Sequence, residues 1–187
     1  MENRGTGAGG ANTNVNGLAF ENKTDNTQRL LKKGFVRITF SSAKYGWYLQ
    51  KKINDSTFMY FMQKSALNNF CVKHLQKEVC REPDEAYVLK KDGKYTFFIL
   101  EKKNQNTPGS VDQKLMLDQA MIEQYKYCLG DVEVYYAYCL SSYLKNEYTA
   151  DTLKYRSIRF LHEKYKTNIF FGDDDDYFQK LDTWLSI

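Results

Sequence analysis

The stretch that most limits how this chain can fold is "EAYVLKKDGKYTFFILEKK", Glu85 to Lys103. Two β-forming runs flank Asp92-Gly93, a dipeptide that accepts the positive φ angles of a two-residue type I′ turn. Fixing the turn fixes the pairing. Lys91 falls opposite Lys94, Val88 opposite Phe97, Ala86 opposite Ile99, and Asp84 opposite Glu101. Strand side chains alternate with period two, so these apolar residues share one face with Asp84 and Glu101. That face is apolar until it reaches two acids.

Directly opposed strand residues have Cβ atoms roughly 4.5–5.5 Å apart. Two carboxylates at that separation repel, and one must take up a proton unless a cation lies between them. A shared divalent metal removes the conflict, and hard oxygen ligands suit Mg²⁺. Lys103 follows Glu101 by two positions on the same face, where its side chain can orient an attacking water or, as the neutral amine, deprotonate it. Gln105 continues the row. Pro83, which has no N–H, suits the lead-in to a strand. An exposed sheet rim would also carry such acids, but the turn register, the apolar face and the Pro-Asp lead-in agree independently on a site.

The 187 residues are about one domain in length. A hydrophobic fraction of 42% is enough for a core. Residues 1–16 are Gly/Asn/Thr-rich and read as a flexible arm before a single domain over 17–187. "LAFENKTDNTQRLLKK" reads as a helix closed by Gly34, followed by extended "FVRITF", "GWYLQKKI" and "TFMYFMQ". "KSALNNFCVKHLQKEV" has helical spacing. After Pro108-Gly109, "SVDQKLMLDQAMIEQYKYCLG" reads as one helix, with Ser110 and Gln113 as a capping box and Gly130 at C′. "VEVYYAYCL" and "NIFFG" read as strands; "ADTLKYRSIRFLHEKYK" and "DYFQKLDTWLSI" read as helices. The Asp173–Asp176 run reads as capping and dipole matching for the last helix. Strands interleaved with helices predict an α/β (α+β) class around a central mixed sheet.

No apolar run is long enough for a membrane span, and the first residues lack a secretory h-region. A cytoplasmic protein without a membrane partner is the expectation. Four cysteines without framework spacing and two scattered histidines give neither a disulfide scaffold nor a zinc site. The cysteines read as structural. A net charge of +4 is compatible with a polyanionic partner, although solvated lysines explain most basic doublets.

The segment "PDEAYV…FFILEKKNQ" resembles the motif of the PD-(D/E)XK nuclease superfamily: Pro-Asp, a hairpin, then Glu-x-Lys. Its extension "EKKNQNTPGSVDQKL" is similar to the E-x-K-x-Q form followed by Gly-Ser and a helix in restriction-endonuclease-like members. The resemblance spans about residues 83–115 and implies a restriction-endonuclease-like core. It implies Asp84 and Glu101 as Mg²⁺ ligands, with the Lys102 carbonyl as a further ligand and Lys103 placing the attacking water. It also implies an acid from the first helix, Glu21, with Asp25 one turn on as the alternative. Gln105 is auxiliary, while Ser110 and Lys114 lie toward DNA. The implied function is Mg²⁺-dependent hydrolysis of double-stranded DNA by a homodimeric type II restriction endonuclease. The alternatives are a structure-specific or repair nuclease (junction resolvase or nickase) and a non-catalytic DNA-binding protein that keeps the fold.

Overall fold

The computed structural model describes residues 11–106 and 110–187, with side chains from 17 onward. In chain order the elements are α1 (Ala11–Lys23), α2 (Thr27–Lys32), β1 (Val36–Thr39), β2 (Trp47–Asn54), β3 (Thr57–Met62), α3 (Ala66–Leu75), β4 (Glu85–Lys91) and β5 (Lys94–Lys103). They continue with α4 (Val111–Lys114), α5 (Asp118–Leu129), β6 (Glu133–Leu140), α6 (Ser142–Thr149), α7 (Leu153–Tyr165), β7 (Asn168–Phe171) and α8 (Tyr177–Leu185). The fold is mixed α/β. Its described strands form a seven-stranded mixed sheet in the order β1 to β7, flanked by helices.

The chain divides into two compact units, each assembled from separate segments. One holds residues 26–101 and 118–137; the other holds the described parts of 1–25, 102–117 and 138–187. In the first, β1 to β5 form an antiparallel meander. Tyr48, Leu49, Phe61, Phe70, Val88 and Phe97 are buried in its core. In the second, Tyr138, Leu140, Leu144, Ile158, Tyr177 and Leu181 are buried.

The hairpin follows the turn chemistry. Asp92 and Gly93 have φ of 50° and 79°, the double positive φ that type I′ needs. Lys91 pairs with Lys94, Val88 with Phe97 and Ala86 with Ile99, as the sequence predicts. At the far end the Cα pairing stops at Glu85 with Leu100.

The helices depart from expectation where distant groups capture their backbone. The helix expected from Leu18 to Lys33 is two helices broken at 24–26. On the α1 side, the ammonium of buried Lys102 donates to the carbonyls of Glu21 at 3.2 Å and Thr24 at 3.1 Å. The Thr24 hydroxyl donates back to Phe20 O at 2.8 Å. On the α2 side, the carboxylate of Glu85 accepts from the Asn26 side chain at 2.9 Å and its backbone N–H at 3.3 Å. A cation at a helix C-terminus and an anion at an N-terminus both match the backbone dipoles.

The helix expected over 110–129 also breaks, between α4 and α5. Tyr138 donates its hydroxyl to Lys114 O at 2.8 Å, and the His162 ring bonds Leu115 O at 2.7 Å. Ser110 sits at the N-cap of α4 but its side chain makes no capping bond, so the expected capping box does not form. Gly130 has the expected left-handed φ, +81°. α3 ends earlier than expected because Gln76 is left-handed at φ 57°.

Of the arm expected over 1–16, residues 1–10 lie outside the described residues, and from Ala11 the chain is helical. α6 was not anticipated. Asp173 accounts for it: its carboxylate accepts from both the N–H and the hydroxyl of Ser142, each at 2.7 Å. The acidic run therefore caps α6, while Asp176, at the N-cap of α8, makes no side-chain capping bond. All four cysteines are free; Cys71 and Cys139 are buried, but Cys80 is exposed and not a core residue. Among the described residues no helix is long and apolar enough to cross a membrane.

Candidate carboxylate site

Asp84 and Glu101 belong to the first unit. Asp84 lies one residue before β4, just past the last Cα pair, and Glu101 is on β5. The ladder therefore carries the expected register to the position next to this pair and no further. Side-chain alternation along β5 puts Glu101 on the face of Ile99 and Phe97.

Asp84 is largely buried, its side chain 11% exposed, and forms an ion pair with Lys64. Lys64 is anchored twice, since its N–H also donates to Pro83 O at 2.9 Å. It holds a left-handed φ of 50°, which costs a non-glycine residue of order 1 kcal/mol. Glu101 is half-buried. Its negative charge reaches Tyr125 of α5: burial first, then Glu101, pushes that phenol well above its usual pKa.

Glu85, beside Asp84, is fully buried. Besides Asn26, it accepts from the Tyr87 hydroxyl at 2.7 Å. This second carboxylate faces the opposite side of the hairpin from Asp84 and ties the start of α2 to the sheet. The sequence reading missed it, although an acid among Tyr87 and Leu100 was a readable signal. Lys64 had no such signal. It precedes α3 in an ordinary polar stretch.

The remaining expected site residues are in the second unit. Lys103 is half-buried near the end of β5, and its carbonyl accepts from Ser141 N–H at 3.1 Å. The carbonyl of Lys102 was the part expected to matter. Its side chain, 7% exposed, is instead the helix-ending ammonium described above. Glu21 is brought to Lys102 through its own carbonyl. Asp25, its alternative, follows the end of α1, where its N–H donates to Asn22 O at 3.3 Å. Gln105 exchanges backbone contacts with the Ser141 hydroxyl at 3.4 Å. Ser110 and Lys114 are exposed at the two ends of the short α4.

A cavity of about 310 Å³ in the same unit is lined by Phe20, Lys23, Asn104, Ser141, Ser142 and Asp173. Lys23 there pairs with Asp173 at 2.5 Å. Among the described residues no three His, Cys, Asp or Glu side chains converge as a metal cluster.

The fold and these residues define a mixed α/β protein with two neighbouring carboxylate positions at the end of an apolar sheet face. Compared with protein-family models, characterised proteins and solved structures, the chain matches none.

Proposed function

We propose that this chain is a Mg²⁺-dependent endonuclease that hydrolyses DNA phosphodiester bonds, in the manner of a homodimeric type II restriction enzyme. One observation carries the reading. The β4–β5 register holds through Glu85 and Leu100, and continuing it by one step would set Asp84 opposite Glu101 on the face of Ala86 and Ile99.

The donor set fits the ion: two carboxylates offer hard oxygens, and Asp84 already accommodates a cation in the Lys64 ammonium. Mg²⁺ bound there would supply charge against the developing phosphorane and acidify a water. Lys64 must then swing from Asp84 toward the incoming phosphate. Lys103, two positions beyond Glu101 on β5, orients the attacking water and stabilises it as it loses its proton. Gln105 follows as an auxiliary to the chemistry, and Ser110 and Lys114 as contacts to the DNA backbone.

The ion pair to Lys64 also favours a second reading, a non-catalytic DNA-binding protein in which the ammonium permanently replaces a metal.

Incubating supercoiled plasmid with the protein, in Mg²⁺ and in EDTA, decides between them. Discrete fragments only in Mg²⁺ are expected for sequence-specific cutting. Nicked circles or junction-selective cuts would move the reading to a nickase or resolvase. DNA binding without any cleavage would overturn the nuclease in favour of the second reading.

A further inference from the structure

The turn end of the β2–β5 meander carries a different arrangement. The strand registers set Lys52 beside Phe58, Phe58 beside Lys90, and Lys90 beside Tyr95. One row across four strands thus reads Lys, Phe, Lys, Tyr. Directly paired residues share a face, so all four side chains emerge together. Lys52 is exposed and the other three are half-buried.

The contacts keep the rings and ammoniums interleaved. The Lys90 ammonium lies 5.4 Å from the centre of the Tyr95 ring. Phe58 stacks on Tyr60 at 6.3 Å and 22°. The C-terminal end of α3 adds to this cluster. His74 packs 5.9 Å from both Tyr48 and Tyr60, and the Lys73 ammonium lies 6.0 Å from the Tyr48 ring centre. The His74 pKa is lowered by burial first, then by Lys73 and Lys90, which marks a locally positive field. Asp55 pairs with Lys52 at 2.7 Å, but both are exposed and such a pair contributes little.

We infer that this row is a binding track for single-stranded nucleic acid, separate from the carboxylate pair and independent of whether that pair cuts. Neighbouring strands lie about 4.8 Å apart, so the two rings, and likewise the two lysines, are spaced by about 10 Å. Rings at that spacing receive splayed bases, and the interleaved ammoniums meet the phosphates between them. A duplex hides its base faces except at its ends, so the aromatic component selects a single strand. From Tyr95 to Glu101 along β5 is about 20 Å, on the same strand face. A strand on this track therefore lies several nucleotides from the carboxylates.

The test is fluorescence anisotropy with a labelled oligothymidylate of about 15 nucleotides, longer than a typical ~4–16 nucleotide single-strand footprint, in EDTA at low salt. Lys90→Ala is compared with Lys91→Ala, which removes the same charge from the opposite face of the same strand. Lys90→Ala should weaken binding and flatten the log–log salt dependence by about 0.7. Lys91→Ala should shift affinity less than about twofold, since it removes only a distant, screened charge. Tyr95→Leu and Phe58→Leu keep apolar bulk but remove the stacking face, and each should weaken binding by roughly 5- to 100-fold. Circular dichroism melts confirm that each variant folds. Equal losses for Lys90→Ala and Lys91→Ala would reduce the row to general positive charge and overturn the inference. Unchanged affinity in both aromatic variants would do the same. EDTA suppresses cleavage throughout, so absence of nuclease activity and absence of this track are separate outcomes.

Discussion

Lys102 gives the sharpest quantitative test, because the proposed function assigns its neighbours on β5 to chemistry while its own contacts are structural. Its ammonium, 7% exposed, holds the carbonyls of Glu21 at 3.2 Å and Thr24 at 3.1 Å. In Lys102→Met the side chain keeps its length but both carbonyls lose their donor. Each such loss costs about 1–3 kcal/mol. Removing a buried ammonium returns some desolvation energy, but here the ion sits at the negative end of a helix, where little is recovered. A net loss of about 3 kcal/mol is expected. For a chain of this size each kcal/mol moves Tm by about 2–4 °C, so Lys102→Met should melt roughly 6–12 °C lower. Lys103→Ala, half-buried, should melt within about 2 °C of wild type, as surface changes usually do. Single-turnover cleavage completes the experiment. Lys103→Ala should lose about 100-fold or more in rate, whereas the loss in Lys102→Met should follow the folded fraction. A Lys102→Met protein as stable as wild type, or a Lys103→Ala protein as unstable as Lys102→Met, would refute the division of roles.

Further outcomes can be checked with the same protein. Asp84→Ala and Glu101→Ala should each abolish plasmid cleavage while retaining the far-UV spectrum; a near wild-type rate in either removes it from the metal site. Lys64→Ala should lower the Mg²⁺ concentration that gives half the Tm increment by about tenfold, since ammonium and metal no longer compete for Asp84. An unchanged midpoint would place the metal elsewhere. Burial pushes the Asp173 carboxyl up, but hydrogen bonds from Lys23 and Ser142 more than offset it and leave its pKa below the usual value. Its stabilising contribution is therefore present above the unfolded value near 3.8 and lost as pH falls through the lower folded value. Asp173→Asn should show a smaller loss of Tm over that acid range, and an identical acid limb would count against the α6 cap.

What the sequence disclosed depended on how local the cause was. The β4–β5 register was legible because Asp92-Gly93 sets it within a few residues. The helix breaks were not. The group ending α1 comes from 78 residues away in Lys102, and the one starting α2 from 59 residues away in Glu85. The break after α4 depends on Tyr138 and His162, and α6 depends on an acid 31 residues downstream. Periodicity predicts continuous helices in such places because it cannot see a distant donor or acceptor. Within the candidate site, Glu101 was legible as an acid on an apolar strand face, and Asp84 as the acid that leads into the partner strand. Lys64 was not, because nothing in its surrounding residues tells that its ammonium meets Asp84.

The alternation around Lys102 has an evolutionary consequence. Glu101 and Lys103 flank a buried cation, and Asp84 adjoins a buried anion, Glu85. A one-residue slide of β5 that brought Glu101 to the place of Lys102 would set a carboxylate against the carbonyls of Glu21 and Thr24, acceptor against acceptor. The spacing of Asp84, Glu101 and Lys103 is thus inherited together with the stability of the fold. Under the proposed function, descendants that abandoned the chemistry would be free to drift at Asp84, Glu101 and Lys103, yet would still be selected to keep Glu85 and Lys102. Across diverged relatives, that contrast would distinguish retired copies from working ones.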